Sequence, residues 1–231
     1  MKNLNLSWTS DIKCLAWDLD GTLYPPDSRL DHAIESRITA AVARTQQVSS
    51  SRAEELFSNT YNKLRSKTKS LSKLGIPGQE FFLNVWNEVD LSQFIQPNPQ
   101  LAVALIALSE SGKFDLAILT NSNTSSTVAS KLAMIGIDPH CFKHILTSVD
   151  IGFQKPDPEA FTALLQATNH RPDRVLYVGD RENTDIIPAQ LMGLRTALIR
   201  NNSADSSSQA DLIMPSALDL AEFFLKNTIN G

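Results

Sequence analysis

The sequence predicts an α/β protein in which helices cover both faces of a parallel β-sheet and a helical segment is inserted after the first strand. Short apolar runs recur along the chain, and the first three end in polar residues, as buried strands do where they reach the edge of a sheet. Segments with helical periodicity lie between the later runs, and this alternation is typical of parallel sheets. Residues 30–86, by contrast, have helical periodicity and no strand-like run.

Five apolar runs are candidate strands. The first ends in acidic residues and a glycine, and the next two end in Thr120-Asn121-Ser122 and in Gly179-Asp180. The helical segments between them begin in several cases at an Asn, Ser or Asp capping residue. The predicted strands are 12–18, 114–119, 174–178, 196–199 and 212–214, and the predicted helices are 98–110, 125–135, 158–168 and 217–225.

The inserted segment is predicted to contain three helices. Leu30, Ile34 and Ile38 begin an apolar stripe at helical spacing, and two further stripes follow over residues 57–64 and 81–89. Prolines on either side of the segment mark its ends. The chain is therefore predicted to divide into a core of residues 1–24 and 97–231 and a helical domain of residues 25–96.

Composition narrows the classes of partner. A chain of 231 residues with 42% hydrophobic and 20% charged residues is expected to fold into a globular protein. A net charge of -4 does not favour a nucleic acid polymer as partner. The longest apolar run, residues 101–108, is far shorter than the roughly 18 residues that suggest a membrane span, so no membrane partner is expected. The two distant cysteines and the polar N-terminus predict a cytoplasmic protein, and the sequence does not indicate its oligomeric state.

Carboxylates follow two of the predicted strands. Asp18 and Asp20 end the first, and Asp180 ends the third with Asp185 five residues further on. Since the carboxyl ends of neighbouring parallel strands share one edge of the sheet, these side chains are expected to lie close together. Clustered like charges repel unless a cation neutralises them, and oxygen ligands favour Mg²⁺ over softer metals. The alternative for the first pair is a solvated strand end with an Asx-type turn.

Residues suited to binding phosphate follow in the same arrangement. Lys155, which precedes a predicted helix, supplies positive charge toward an anionic substrate. Thr120, Asn121 and Ser122 offer hydroxyl, amide and backbone N–H donors to phosphate oxygens. The alternatives are a solvated lysine and a cap for the helix that follows.

These residues together resemble the four sequence motifs of the haloacid dehalogenase-like hydrolase superfamily, in order. The motifs are Asp18-Leu19-Asp20-Gly21-Thr22, Thr120 after a strand, Lys155-Pro156, and Gly179-Asp180 with Asp185. The resemblance covers nearly the whole chain. It implies a Rossmann-like core, a C1-type cap formed by residues 25–96, dependence on Mg²⁺, and phosphoryl transfer through an aspartyl-phosphate intermediate.

The resemblance also implies a role for each matching residue. Asp18 corresponds to the nucleophile and Asp20 to the general acid and base. The carboxylates of Asp18 and Asp180 and the main-chain carbonyl of Asp20 correspond to the Mg²⁺ ligands, and Asp185 to a residue that acts on the metal through water or through another ligand. Thr120, Asn121 and Lys155 correspond to the groups that bind the phosphoryl oxygens.

The same resemblance predicts a phosphomonoester hydrolase. Dehalogenases of the superfamily lack the second aspartate, so Asp20 favours phosphate chemistry. The alternatives are a phosphosugar mutase or other phosphotransferase, and a catalytically silent regulator that binds a phosphorylated ligand. The expected substrate is a small phosphorylated metabolite. Nucleoside monophosphates are among the candidates, because residues 18–25, 98–108 and 155–158 are similar to pyrimidine 5'-nucleotidase-like members. Arg181 departs from the family pattern, which has a small or polar residue after the aspartate.

Overall fold

The computed structural model describes residues 6–64, 66–122, 124–200 and 208–229. The Ser-, Asn- and Asp-rich sequence of residues 201–209 predicts a solvated loop before the last strand, and most of that segment lies outside the described residues. The chain forms two compact units, one made of Met1–Pro26 with Ile95–Gly231 and the other of Asp27–Phe94. The predicted boundaries lie within two residues of these, at 24/25 and 96/97.

The larger unit is built on a six-stranded sheet in which every described pairing is parallel. The strand order is β3-β2-β1-β4-β5-β6, and the parallel α/β class predicted from the sequence is confirmed. The edge strand β3 was not predicted, because only two of its four residues are aliphatic. The strands are β1 (Cys14–Trp17), β2 (Asp115–Thr120), β3 (His144–Thr147), β4 (Val175–Gly179), β5 (Arg195–Ile199) and β6 (Leu212–Met214).

Helices cover both faces of this sheet. Along β1, Cys14 and Ala16 belong to a buried cluster on one face of the sheet, which includes Phe161 of the helix over residues 158–168. Leu15 and Trp17 point to the opposite face and are also fully buried. The helices of this unit are α5 (Pro99–Glu110), α6 (Ser125–Ile135), α7 (Ser148–Ile151), α8 (Pro158–Thr168), α9 (Ile187–Leu191) and α10 (Ala217–Ile229).

The register places three strand ends next to one another. Trp17 at the end of β1 pairs with Ile118 of β2 on one side and with Val178 of β4 on the other. The residues that follow these positions, Asp18 and the polar groups after β2 and β4, therefore emerge at one edge of the sheet. This is the edge at which parallel α/β sheets bind ligands.

The smaller unit is helical throughout its named elements. Asp27 caps its first helix by accepting a hydrogen bond from the Arg29 N–H, and Gln47 ends that helix in the left-handed conformation. The short third helix was not predicted, because its sequence KTKSLSK holds a single large apolar residue. A cap role for this unit stays a prediction. Its described helices are α1 (Ser28–Gln46), α2 (Ser50–Leu64), α3 (Lys67–Lys73) and α4 (Gly78–Glu88).

In the described part of the chain, we find no helix with the length and hydropathy that crossing a bilayer requires.

Candidate active site

A tight turn at the end of β1 presents two carboxylates. The Asp18 N–H still donates to the Val178 carbonyl of β4, at 2.8 Å, so Asp18 is fixed by the sheet. The chain then turns, and the Leu23 N–H bonds the Leu19 carbonyl at 3.0 Å. Gly21 within the turn has a φ of 85°, a conformation that favours glycine. The turn therefore holds Asp18 and Asp20 at the same edge of the sheet.

Three of the four predicted carboxylates converge. Oxygen atoms of Asp18, Asp180 and Asp185 all lie within 4.8 Å of one another. Two glycines make this approach possible, because a Cβ on Gly21 would lie 2.5 Å from Asp180 Oδ2 and a Cβ on Gly179 would lie 2.4 Å from Asp185 Cβ. The clustering expected from the sequence is therefore present, and it depends on the absence of two side chains.

Lys155 lies at the centre of this acidic cluster. Its Nζ is 2.9 Å from Asp18 Oδ1, 2.7 Å from Asp185 Oδ1 and 2.7 Å from the Tyr177 hydroxyl. A lysine ammonium has three hydrogens, and these contacts match them. Burial lowers the pKa of Lys155, but the adjacent carboxylates of Asp18 and Asp185 outweigh burial and leave the pKa raised. The side chain, 1% exposed, is therefore a buried cation.

Two residues hold Lys155 in this position. The Asn121 side chain donates from Nδ2 to the Lys155 carbonyl and accepts from the Lys155 N–H, both at 2.8 Å. The Tyr177 hydroxyl, besides accepting from Lys155, donates to the Leu119 carbonyl at 3.0 Å. The Asn121 side chain thus contacts Lys155, whereas the sequence predicted that it binds phosphate, and phosphate binding by Asn121 stays a prediction.

Thr120 lies where the prediction requires it. It is the last residue of β2 and is 1% exposed. Its Oγ1 accepts a hydrogen bond from the Ser122 N–H at 3.2 Å, which leaves the hydroxyl hydrogen as a donor. Thr120 is therefore suited to donate to an anion at the end of the strand.

The Asp20 carboxylate faces donors that the sequence analysis did not identify. Lys131 Nζ is 2.6 Å from Oδ1, the Ser122 hydroxyl donates to Oδ2 at 2.8 Å, and the Tyr24 hydroxyl donates to Oδ1. Burial raises the pKa of Asp20, but Lys131 and the hydrogen bonds outweigh burial and leave it below its ordinary value. The sequence did contain an indication of this contact, because Lys131 lies at helical spacing from the buried residues Val128 and Ile135 of α6.

The carboxylates around Asp18 fit a divalent cation. Asp180 Oδ1 is buried and has no hydrogen-bond partner among the described residues, which is costly for an anionic oxygen. Burial raises the pKa of Asp18; Lys155 opposes this, but the carboxylates of Asp185 and Asp180 add to it, and the pKa stays raised. Burial also raises the pKa of Asp180. A cation at these oxygens would favour the ionised forms of both residues.

The charge balance agrees with a divalent ion. The site has four carboxylates, on Asp18, Asp20, Asp180 and Asp185, and two buried ammonium groups, on Lys131 and Lys155. When all six groups are charged, as a bound cation would favour, they leave two negative charges. Arg181 Nε lies 3.6 Å from Asp180 Oδ2, but its side chain is 62% exposed, so water screens its charge. Hard oxygen ligands and a charge of minus two suit Mg²⁺.

Asp185 lies behind the other two carboxylates of the cluster. It is fully buried, and its Oδ1 accepts from Lys155 while its Oδ2 accepts from the Arg181 N–H at 3.1 Å. Both oxygens are therefore engaged with the protein. This arrangement supports the expectation that Asp185 acts on a metal ion indirectly.

Replacing Gly179 with alanine is expected to disrupt the site. The added Cβ would displace Asp185, which in turn holds Lys155, so the variant should lose about 1–3 kcal/mol of unfolding free energy and most of its activity. Urea unfolding and phosphate release measure the two effects. Gly112→Ala is the control for activity. An added Cβ at this position would have no neighbour within 4 Å, so that only the positive φ of residue 112 opposes the substitution. Equal activity of Gly179→Ala and the parent would contradict this reading.

Comparisons with known proteins agree with this geometry. A family model described as haloacid dehalogenase-like hydrolase matches residues 12–193. The chain is 26% identical over 201 residues to a glyceraldehyde 3-phosphate phosphatase of Methanopyrus kandleri, covering 82% of this chain and 84% of that protein. It is 29% identical over 190 residues to a phosphoglycolate phosphatase of Vibrio cholerae, covering 79% and 81%.

A solved structure is similar over almost its whole length. The crystal structure of a HAD phosphatase from Thermococcus onnurineus superposes with a TM-score of 0.67, at 19% sequence identity, and covers 92% of this chain and 97% of that chain. At this identity the likeness concerns the fold.

Proposed function

We propose that this chain, which belongs to the haloacid dehalogenase-like hydrolases and is a phosphatase of that family, hydrolyses phosphomonoesters of small metabolites. The proposed reaction uses Mg²⁺ and passes through an intermediate in which Asp18 is phosphorylated. The observation that carries the proposal is the contact of Lys155 Nζ with Asp18 Oδ1 at 2.9 Å, beside two further carboxylates. A nucleophilic carboxylate and a phosphate-binding cation thus share one buried position at the end of β1.

The first half of the reaction forms a bond between Asp18 and phosphorus. An Asp18 oxygen attacks phosphorus, the bond to the ester oxygen breaks, and Asp20 gives that oxygen a proton. Lys155 and Thr120 bind oxygens of the transferring phosphoryl group. Phosphoryl transfer is accelerated mainly by positioning of the reactants and by neutralisation of their charge. The products of this half are a free alcohol and an aspartyl-phosphate.

The second half restores the enzyme. Asp20, now a carboxylate, takes a proton from a water molecule whose oxygen attacks phosphorus, and the bond to Asp18 breaks. Inorganic phosphate leaves. Bound Mg²⁺ would supply charge neutralisation at the phosphoryl group, and the carboxylates of Asp18 and Asp180 with the main-chain carbonyl of Asp20 would hold it.

Phosphorylated metabolites of a few carbon atoms are the proposed substrates. The names of two relatives, a glyceraldehyde 3-phosphate phosphatase and a phosphoglycolate phosphatase, support this class. Nucleoside monophosphates are a second class to test, and the support for them is limited to the sequence similarity over residues 18–25, 98–108 and 155–158.

A substrate panel tests the proposal. Purified protein is assayed for phosphate release from phosphoglycolate, glyceraldehyde 3-phosphate, sugar phosphates and nucleoside monophosphates, with Mg²⁺ and with a chelator. We expect Mg²⁺-dependent release, fastest with the smallest esters. Phosphate that passes to an acceptor other than water would identify a phosphotransferase. A folded protein that binds phosphorylated ligands without turnover would identify the silent regulator, and either result would overturn the proposal.

Mg²⁺ is expected to stabilise the folded protein independently of activity. Because the ion would bind the native carboxylates and not the unfolded chain, a concentration a hundredfold above its Kd should add about 2.7 kcal/mol to the unfolding free energy. Thermal unfolding with and without Mg²⁺ measures this gain. Asp180→Asn should lose it, since Asp180 Oδ1 is the buried oxygen of the cluster for which the described residues provide no hydrogen-bond partner. Asp173→Asn, on an exposed turn, should keep it. An equal gain in both variants would contradict the proposed ligand set.

A further inference from the structure

We propose that Lys131 is a positioning residue for Asp20: its ammonium occupies Oδ1, so that Oδ2 is the oxygen through which Asp20 exchanges protons with the leaving group and with water. The proposal rests on the proposed function, because it assigns a role in that reaction. It concerns a residue that none of the four sequence motifs contains.

The burial of Lys131 is the first observation. Its side chain is 0% exposed, although lysine is among the residues least often buried without a partner. It lies on α6 beside the buried residues Val128, Leu132 and Ile135, where an apolar side chain would satisfy packing. Burying an ammonium group without a partner is unfavourable, because the charge loses its hydration. Its presence therefore calls for a partner, and the described contacts are with Asp20 and Ser122.

The second observation is the chemistry of those contacts. Lys131 Nζ is 2.6 Å from Asp20 Oδ1, and Tyr24 also donates to Oδ1. An ammonium can donate hydrogen bonds but cannot accept them. A proton on Oδ1 would therefore face a group that cannot receive it. Lys131 makes Oδ1 a permanent acceptor.

The other oxygen has a different neighbour. Oδ2 faces the Ser122 hydroxyl at 2.8 Å, and Lys131 Nζ also donates to Ser122 Oγ, at 3.0 Å. A hydroxyl can rotate and both donate and accept. Ser122 can thus donate to Oδ2 when Asp20 is ionised and accept from it when Oδ2 carries a proton. The two oxygens of Asp20 therefore have distinct roles, because the ammonium at Oδ1 can only donate a hydrogen bond whereas the hydroxyl at Oδ2 can also accept one.

These residues all lie in one compact unit. Asp20, Tyr24, Ser122 and Lys131 belong to the unit formed by Met1–Pro26 and Ile95–Gly231. Ser122, a polar partner of Lys131, lies two residues after the end of β2. The orientation of Asp20 is therefore set within the core that carries the nucleophile.

Dependence on the leaving group distinguishes this role from a structural one. An alkyl ester such as glycerol phosphate needs a proton on its departing oxygen, whereas dinitrophenyl phosphate has a leaving group that departs without one. The value of kcat/KM reports steps up to the formation of aspartyl-phosphate. Lys131→Met is expected to lower kcat/KM for glycerol phosphate by about a hundredfold, the lower range for general acid catalysis, and for dinitrophenyl phosphate by less than about tenfold.

Two reference variants are compared with Lys131→Met, one that lacks the proton donor and one that lacks a lysine far from Asp20. Asp20→Asn removes the proton donor itself, so Lys131→Met should reproduce its dependence on the leaving group. Lys143→Met removes an exposed lysine that pairs with Asp115 at the opposite end of β2, and it should respond equally with both esters. If Lys131→Met does not fold, Ser122→Ala replaces it in the test. This smaller change removes the hydroxyl that donates to Asp20 Oδ2, and it should show the same selective loss with glycerol phosphate.

The outcomes separate this inference from the proposed function. Equal losses with both esters in Lys131→Met, or in Ser122→Ala where the first variant does not fold, would overturn the positioning role while leaving the phosphatase intact. Absence of hydrolysis of either ester by the parent protein would overturn the proposed function and this inference with it.

Discussion

Asp18→Asn is expected to reduce phosphate release by at least about a thousandfold, as the loss of a nucleophile does in enzymes with covalent intermediates. The amide is a poor nucleophile, so no bond to phosphorus forms. The variant should fold, because an amide oxygen still accepts from the Leu19 N–H and from Lys155. Initial rates on the best ester of the panel, with circular dichroism as a check on folding, measure the effect.

The matched control for this variant is Asp173→Asn. Asp173 lies in the same compact unit, pairs with Arg171 in an exposed turn and precedes β4. It should retain full activity. If Asp18→Asn keeps more than about a tenth of the parent rate while folded, Asp18 is not the nucleophile.

Lys155→Met is expected to cause the largest loss of stability of any change proposed for the site, about 3–5 kcal/mol in the absence of divalent ions. The side chain is nearly isosteric, but it leaves the carboxylates of Asp18 and Asp185 buried without a counter-ion. Urea unfolding in a chelator measures the loss. Activity should fall as well, because the phosphoryl oxygens lose their cation.

An exposed lysine provides the comparison. Lys226 pairs with Glu222 on the surface of α10, and Lys226→Met should change stability little, since surface pairs contribute little. Equal stability of Lys155→Met and the parent would show that Lys155 does not neutralise the cluster.

The fold could be predicted from the sequence because strands that are buried on both faces of a sheet appear as short apolar runs. β1 and β4 are continuous apolar runs, β2 contains one over Leu116–Leu119, and the helix over 125–135 has the predicted bounds. The strand β3 escaped prediction because an edge strand needs fewer apolar residues. The short helix over Lys67–Lys73 escaped because its residues are mostly polar.

The site could be predicted only in part. Side chains at strand ends appear in the sequence as polar residues after apolar runs, and this pattern indicated the residues that the structure brings together around Asp18. Lys131 and Tyr177 lie within buried elements, where a sequence pattern reports packing and not polar contacts. Their partners are 111 and 22 residues away along the chain, so only the folded structure relates them.

Covalent phosphorylation of Asp18 is the central claim, and an acid quench followed by peptide mass spectrometry tests it most directly. Asp20→Asn is mixed with dinitrophenyl phosphate and Mg²⁺; this ester needs no proton donor, whereas hydrolysis of the intermediate needs Asp20 as a base. The account predicts that the peptide containing Asp18 carries a phosphoryl group, and that the double variant with Asp18→Asn carries none. Release of dinitrophenol by an enzyme whose Asp18 is never phosphorylated would contradict it.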